Sequence, residues 1–484
     1  MLTSAAFGKD MPHSSQAPGI PRRSPSTTPA GRHAEAVRAA LARHGIEVPA
    51  TPVSTDFGSG SAALDWAASG AMASTGPLTG EPRFAPGAVA SAAIGVGAVL
   101  EALSPSLAAP AIDWSGLLGE RAAAWGHERR GRVTAGGAGR LFRARDGWIA
   151  IQLPRPDDWR SVPAWLETPL PAALHESERG WTVIEAALRD REVEPLVERA
   201  RMLGLACAPA PREPIDGVPL FRIDGDREAR PRAAGRPLRI LDLSSLWAGP
   251  LATSLLAKAG ASVLKVESPN RPDGARGGPS DFFDLLNGEK RGAALDLTVP
   301  GDRATFEALL EEADLVVESA RPRALRQLGF DAEAWVANRA GRLWLSITGY
   351  GRDHEWIAFG DDAAIAAGLA WAPDADDGDP CFCGDALADP LAGLHAAAIA
   401  LAFAQAGRGG LIDLSLRDAL ACSAATPVDL EAVEVFRTQE GFGVLDAGTT
   451  TPVAAPRLRS PWLAAPTLTA PTTDSLDAWR HGRC

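Results

Sequence analysis

The sequence predicts an α/β protein, an open parallel sheet with a smaller α+β domain on its N-terminal side. Three observations carry this expectation. The segment Arg239 to Pro269 reads as a buried strand, a turn, a helix and a second buried strand. The apolar run Trp148-Ile149-Ala150-Ile151, after Gly147, is strand-like and sits among helical patterns far upstream. Between the two, residues 225–237 are charged and carry Pro and Gly, as linkers do.

In the first of these segments, Ile240, Leu241 and Leu243, then Val263, Leu264 and Val266, form apolar runs too short for helices. Leu251 to Ala259 lies between them, Ala/Leu-rich and of helical length. One β-α-β unit of this kind is the building block of a parallel sheet. Its turn, ending Ala248-Gly249-Pro250, lacks the G-x-G-x-x-G phosphate fingerprint and so argues against a dinucleotide enzyme.

At 484 residues the chain has room for two or three domains with substantial cores, and its composition is that of a soluble globular protein. A formal charge of −12 argues against nucleic acid or an anionic membrane as partner. The longest apolar run, Ala85 to Leu100, is shorter than a membrane span. Five scattered cysteines (Cys207, Cys381, Cys383, Cys422, Cys484) fit a cytoplasmic location better than a disulfide framework. Cys381-Phe-Cys383 has no second Cys or His pair at zinc spacing, so no metal is expected.

Residues 1–33, rich in Pro, Ser and Thr, are expected to form a disordered tail. Residues 34–235 mix helices with the isolated strand, 236–425 hold the β-α-β region, and 426–484 form a Pro/Thr-rich extension with little periodicity. Residues 63–100 and 361–403 echo each other: a small-residue helix, a polar Gly/Pro loop and a second Ala-rich helix. In the second copy Asp389-Pro390 reads as a helix start, Asp as N-cap and Pro at the first helical position. The aligned position in the first copy is Ala85, before Pro86, which keeps the helix start without the carboxylate.

Five stretches in one order resemble the CaiB/BaiF group, the family III CoA-transferases. They are RILDLSSLWAGPLATSLLAKAGASVLKVESP at 239–269, FFDLLNGEKRGAALDL at 282–297, ADLVVESARPRALRQLGF at 313–330, RLWLSITGYG at 342–351 and AGRGGLIDLSLRDALA at 406–421. The resemblance implies that family's fold, with a nucleotide-fold domain at 236–425, and chemistry on a small-molecule acyl-CoA and a carboxylic acid. Coenzyme A thioester would be substrate, with no tightly bound cofactor. Residues 116–210 resemble the family's small domain, so the parts follow a rearranged, partly duplicated order: degenerate middle segment, small domain, nucleotide-fold domain, second middle copy. Family members are interlocked dimers; with an extra middle copy in the chain, monomer and homodimer are both open.

The resemblance makes Asp389 the nucleophile, with Gly393 and His395 at the family's spacing, and implies a covalent aspartyl intermediate. Amide dipoles at a helix start favour the ionised carboxylate this needs. Gly136, Gly137 and Gly139 match the family's glycine-rich loop over that aspartate; read alone they are a hairpin turn. For the CoA phosphates the best basic clusters are Lys290-Arg291 and the run Arg321 to Arg326, the latter equally a solvated helix face. Ser268, Ser319 and Gln327 stand where many members carry Arg, Asn and Arg at positions associated with CoA contacts, Arg326 being one residue from the last. Ser245, Leu246 and Trp247 follow the first strand, where open α/β sheets bind ligands, and Trp247 reads equally as core.

Racemases of the same superfamily carry a His directly before an Asp in the Gly-led motif opening the middle helix. Here that motif is Gly360-Asp361-Asp362, read as a solvated helix terminus. Racemisation is therefore the alternative to CoA transfer. A non-catalytic CoA-binding homologue is the third reading, favoured by the altered contact positions and by Ala85.

Overall fold

The computed structural model describes residues 27–50, 58–108, 112–229, 236–374, 378–460 and 463–482. Strands β1 (Gly139–Arg143), β2 (Trp148–Gln152) and β3 (Ala206–Pro209) form an antiparallel sheet in that order. Helices Pro156–Leu166, Glu178–Leu188 and Val193–Met202 pack on it around Trp159, Trp165, Trp181 and Ile184. The isolated apolar run of the sequence is thus the central strand of a small α+β domain.

The large sheet comprises β4 (Arg222–Glu228), β5 (Arg239–Asp242), β6 (Ser262–Glu267), β7 (Arg291–Ala294), β8 (Leu315–Glu318), β9 (Leu343–Thr348) and β10 (Arg408–Ser415), in the order β4-β10-β9-β8-β5-β6-β7. All pairs are parallel except β4, which runs antiparallel along β10. Period-two alternation sends its side chains into two cores, because successive strand residues face opposite sides. Ile240, Val263, Leu315, Val317, Leu343 and Leu345 enter one. Leu241, Leu264, Val316, Trp344 and Leu411 enter the other.

The first of these cores also takes in Leu41, Leu64, Val96, Trp114 and Leu118, so the N-terminal helices and the large sheet share one apolar interior. Helix Val89–Leu103 packs against helix Ala388–Gln405, which brings the two echoing segments face to face. Gly95 and Gly97 let helix Val89–Leu103 also approach its other neighbours closely: a Cβ would lie 2.4 Å from the Ala30 carbonyl oxygen at one, and 2.2 Å from the Trp114 ring at the other.

Three sequence expectations need correction, and the aperiodic C-terminal extension has a fold of its own. Helix Pro29–Ala42 takes in the last residues of the expected tail, capped by the Thr28 hydroxyl, which accepts from Gly31 N–H; residues 1–26 lie outside the described residues. The expected linker begins as strand β4, since its Arg and Asp side chains point outward from a sheet edge. The C-terminal extension is folded: β11 (Val433–Thr438), β12 (Gly441–Asp446) and β13 (Thr449–Pro452) form a hairpin sheet. Helix Thr473–His481 then seats Trp479 in the far core, its indole N–H bonding the Ile240 and Ser262 carbonyls. The first-copy helix does not start at Ala85-Pro86 but at Val89. Among the described residues no helix is long and apolar enough to cross a membrane.

Candidate functional site

At the C-terminal ends of β5 and β6 lies a buried polar network. Asp242 accepts from Ser244 and Thr253 and pairs with the Lys290 ammonium at 2.9 Å. Lys265 pairs with Asp273 at 2.9 Å and donates to the Ser244 carbonyl. All four charged side chains are fully buried. Burial alone would raise Asp242, but Lys290, Lys265 and the Ser244 hydroxyl outweigh it and hold the carboxyl well below its ordinary range. Burial lowers Lys290 to about 8 against the pull of Asp242.

This network shapes the Ser245–Trp247 turn. Asp273 accepts from Leu246 N–H at 2.9 Å, which holds Leu246 at a φ of 69°, in the left-handed region non-glycine residues rarely enter. Ser245 N–H donates to the Ser319 hydroxyl at 3.0 Å, so two of the expected binding residues meet. Leu246 is exposed beside them, whereas Trp247 is core, edge-on to Phe282. Lys290 corrects the expectation of a phosphate ligand, because its ammonium is committed to Asp242, Asn287 and the Pro250 carbonyl. Ser268 caps a tight turn to Arg271, Arg291 lies on the edge strand β7, and Arg326 is exposed and paired with Glu333.

Asp389 lies at the second position of helix Ala388–Gln405, two places inside the N-cap, Leu387, rather than at the N-cap expected from its Pro. Its carboxylate is half-buried and faces the Ala248 N–H, the first residue of helix Ala248–Lys258. Two glycines make room for this. A Cβ at Gly393 would sit 2.7 Å from the Ala248 carbonyl oxygen, so Gly393 lets the two helices approach. A Cβ at Gly360 would sit 2.1 Å from Asp389 Oδ2.

Two more carboxylates, Asp361 and Asp385, act on Asp389, and Asp362 adjoins Asp361. Asp361 accepts from Ala386 N–H at 2.7 Å, Asp362 accepts from Phe359 N–H and from Gln152 of β2, and Asp385 pairs with Arg121 and with His127 at 2.9 Å. Asp361 and Asp362 are buried, which corrects the reading of a solvated terminus. Burial pushes Asp389 up to about 7, opposed by Arg121 and reinforced by Asp361; burial and then Asp385 push Asp361 up to about 6. The helix-start dipole therefore does not dominate: desolvation and neighbouring carboxylates hold Asp389 towards its neutral form.

Arg121 and His127 flank the glycine-rich loop. A Cβ at Gly136 would lie 3.4 Å from Arg121 Nη2 and 3.4 Å from His127 Cε1, and Gly137 has a φ of 83°. Gly136 thus lies beside Arg121 and His127, whereas a Cβ at Gly137 would lie 3.0 Å from Arg130 Nη1. His395 points elsewhere. Its Nδ1–H donates to the Leu391 carbonyl, leaving Nε2 to accept from His33 Nε2–H at 2.9 Å, both rings buried. Arg121, His127 and Asp385 escaped the sequence reading. The only local hint was charge inside apolar segments, as in Gly-Glu-Arg-Ala-Ala-Ala-Trp at 119–125.

Among the described residues no group of His, Cys, Asp and Glu is placed to hold a metal ion.

Residues 236–455 match the model of CoA-transferase family III. Over 220 residues the chain is 29% identical to an acetyl-CoA:oxalate CoA-transferase of Acetobacter aceti, covering 41% of this chain and 57% of that protein. Over 249 residues it is 28% identical to a succinate–glutarate CoA-transferase of Agrobacterium fabrum, covering 44% and 62%. Over 197 residues it is 29% identical to a formyl-CoA:oxalate CoA-transferase of Escherichia coli, covering 38% and 47%. The chain thus spans roughly half to three-fifths of the length of these relatives. A CaiB/BaiF family protein from Brucella suis aligns at a TM-score of 0.39 with 25% identity, covering 44% of this chain and 65% of that one. The match to the CoA-transferase family III model thus runs from the β5-α-β6 unit to the β11–β13 sheet.

Proposed function

We propose that this chain transfers coenzyme A between an acyl-CoA thioester and a carboxylic acid, with Asp389 as nucleophile. The observation that carries the reading is the half-buried Asp389 carboxylate, seated on Gly360 and aimed at the helix start of Ala248. The relatives named above are CoA-transferases whose names pair an acyl-CoA or an acid with a second carboxylic acid, which supports the substrate class.

In the first step the Asp389 carboxylate attacks the thioester carbonyl, the C–S bond breaks and CoA thiolate leaves, giving a mixed anhydride on Asp389. The thiolate then attacks the Asp389 carbonyl carbon and expels the donor carboxylate, leaving an aspartyl-CoA thioester. The acceptor carboxylate attacks that thioester and frees the thiolate, which attacks the acceptor carbonyl to give the new acyl-CoA and the free Asp389 carboxylate. One negative charge is carried through every step, so no external acid or base is consumed. The Ser245–Leu246 turn and Ser319 would face the CoA moiety at the strand ends. Part of the family's two-subunit arrangement would be supplied in cis by the N-terminal half of the chain.

Mass spectrometry after incubation with an acyl-CoA panel and hydroxylamine tests this, with Asp389→Ala as control. A hydroxamate at Asp389 that is absent from the control is expected; no adduct with any donor that binds would sink the reading.

A second reading is acyl-CoA epimerisation. Asp361 occupies the position where racemases of the superfamily carry His, and with Asp389 it forms two carboxyls poised near neutrality. Deuterium uptake at the α-carbon of a bound acyl-CoA in heavy water, without CoA exchange, would favour it.

A further inference from the structure

The Arg121 guanidinium is fixed on two sides. Nη1 is committed to Asp385, a fully buried carboxylate whose other oxygen takes His127 Nδ1. The guanidinium face rests on the Trp125 ring at 5.3 Å, and Trp125 in turn packs edge-on to Phe282 and against Gly278, where a Cβ would lie 2.2 Å from the indole. Nη2 turns to the solvent-exposed Gly136 and makes no hydrogen bond among the described residues. The Arg121 side chain keeps about a quarter of its surface exposed, 27%. A planar fork with one edge spent, one edge open and no rotamer freedom left is suited to a carboxylate.

We infer that Arg121 receives the carboxylate of the incoming acid, through the guanidinium edge left over from Asp385. This rests on the transferase reading and adds to it the group that recognises the acid. Charge along the reaction supports the assignment. In the resting chain Asp389 shares the field of Arg121 with Asp361 and Asp385. Above about pH 7, where the resting Asp389 is ionised, formation of the thioester removes that charge, and Arg121 loses one of its compensating anions at the stage when the acceptor must enter.

The test needs no turnover. Asp389→Asn removes the carboxylate charge as the thioester does, and succinate is titrated calorimetrically into that variant, with neutral succinamide as control. At pH 8, where Asp389 of the unsubstituted protein is ionised, the expected result is binding of succinate alone, tighter than to the unsubstituted protein. Adding Arg121→Lys, which keeps the charge but loses the fork, should weaken it by about tenfold or more with the melting temperature little changed. In Asp389→Asn carrying Arg121→Ala, added methylguanidinium should restore binding, which a structural role for Arg121 would not allow. No succinate binding by Asp389→Asn, or unaltered binding with Arg121→Lys, overturns the inference. Absence of a hydroxamate at Asp389 would instead overturn the transferase reading, and the two failures are read from separate experiments.

Discussion

Arg121 and Asp385 lie 264 positions apart and form an ion pair whose carboxylate is fully buried and whose guanidinium borders the glycine-rich loop. The pair joins the N-terminal half of the chain to the loop that leads into the Asp389 helix.

Because Asp389 is held at about 7, the rate of hydroxamate formation should rise as pH increases through that value and fall below it. Asp361→Asn removes a charge that raises Asp389, so the midpoint of the rate profile should move to lower pH. The same shift has a stability sign. A carboxyl whose folded pKa lies above its ordinary 3.8 costs the fold increasingly as pH climbs from about 4 to about 7. Asp389→Asn should therefore raise the melting temperature relative to the unsubstituted protein more at pH 8 than at pH 5. Parallel melting curves at both values check this.

Gly360→Ala would place a methyl group on Asp389 Oδ2, from which its Cβ stands only 2.1 Å. The carboxylate must swing away, at an overpacking cost of about 1–3 kcal/mol. A displacement of that order at a nucleophile lowers the rate of adduct formation by about 100-fold. Single-turnover measurement with a saturating acyl-CoA isolates this effect from binding.

Lys290→Met leaves Asp242 buried without its nearest cation, and removing one partner of such a pair costs about 3–5 kcal/mol. Urea unfolding should show the loss, while CoA affinity of the folded fraction changes little. Unchanged stability with a large loss of CoA affinity would restore Lys290 to the phosphate site.

The parallel sheet was legible because β5 and β6 are apolar runs of strand length around a helix, with β8 and β9 entering only through the family-like stretches, and Trp148–Ile151 gave one strand of the small sheet in the same way as β5 and β6. What escaped has a physical cause in each case. Lys290 reads as a free basic residue until the fold places Asp242 against it, 48 positions upstream. Asp361-Asp362 reads as a solvated helix start until Gln152 of β2 arrives, 210 positions away. Strand β4 hides because an edge strand with one solvated face keeps its Arg and Asp side chains outward, and so resembles a linker in composition. Asp389 itself was legible as a helix start, but its protonation depends on neighbours assembled from three separate segments.

The His33–His395 pair makes a separate prediction. Burial, and in His33 also the charge of its neighbour, lowers both rings, His395 to about 4. A histidine depressed from 6.5 stabilises the fold fully above that value and progressively less as pH falls towards 4. The melting temperature should drop across that window, and the drop should be smaller in His33→Leu with His395→Leu. Circular dichroism melts at pH 4.5 and 7 decide it.

An ion pair between separate molecules dissolves on dilution, but Arg121 and Asp385 belong to one covalent chain and share a core that spans both halves. Their encounter has a fixed effective concentration, however few copies of the protein are present. The wall that Arg121 lends to Asp389 is therefore as complete at vanishing protein concentration as at high, and expressing residues from 236 onward alone would strip it away together with part of the apolar interior beneath.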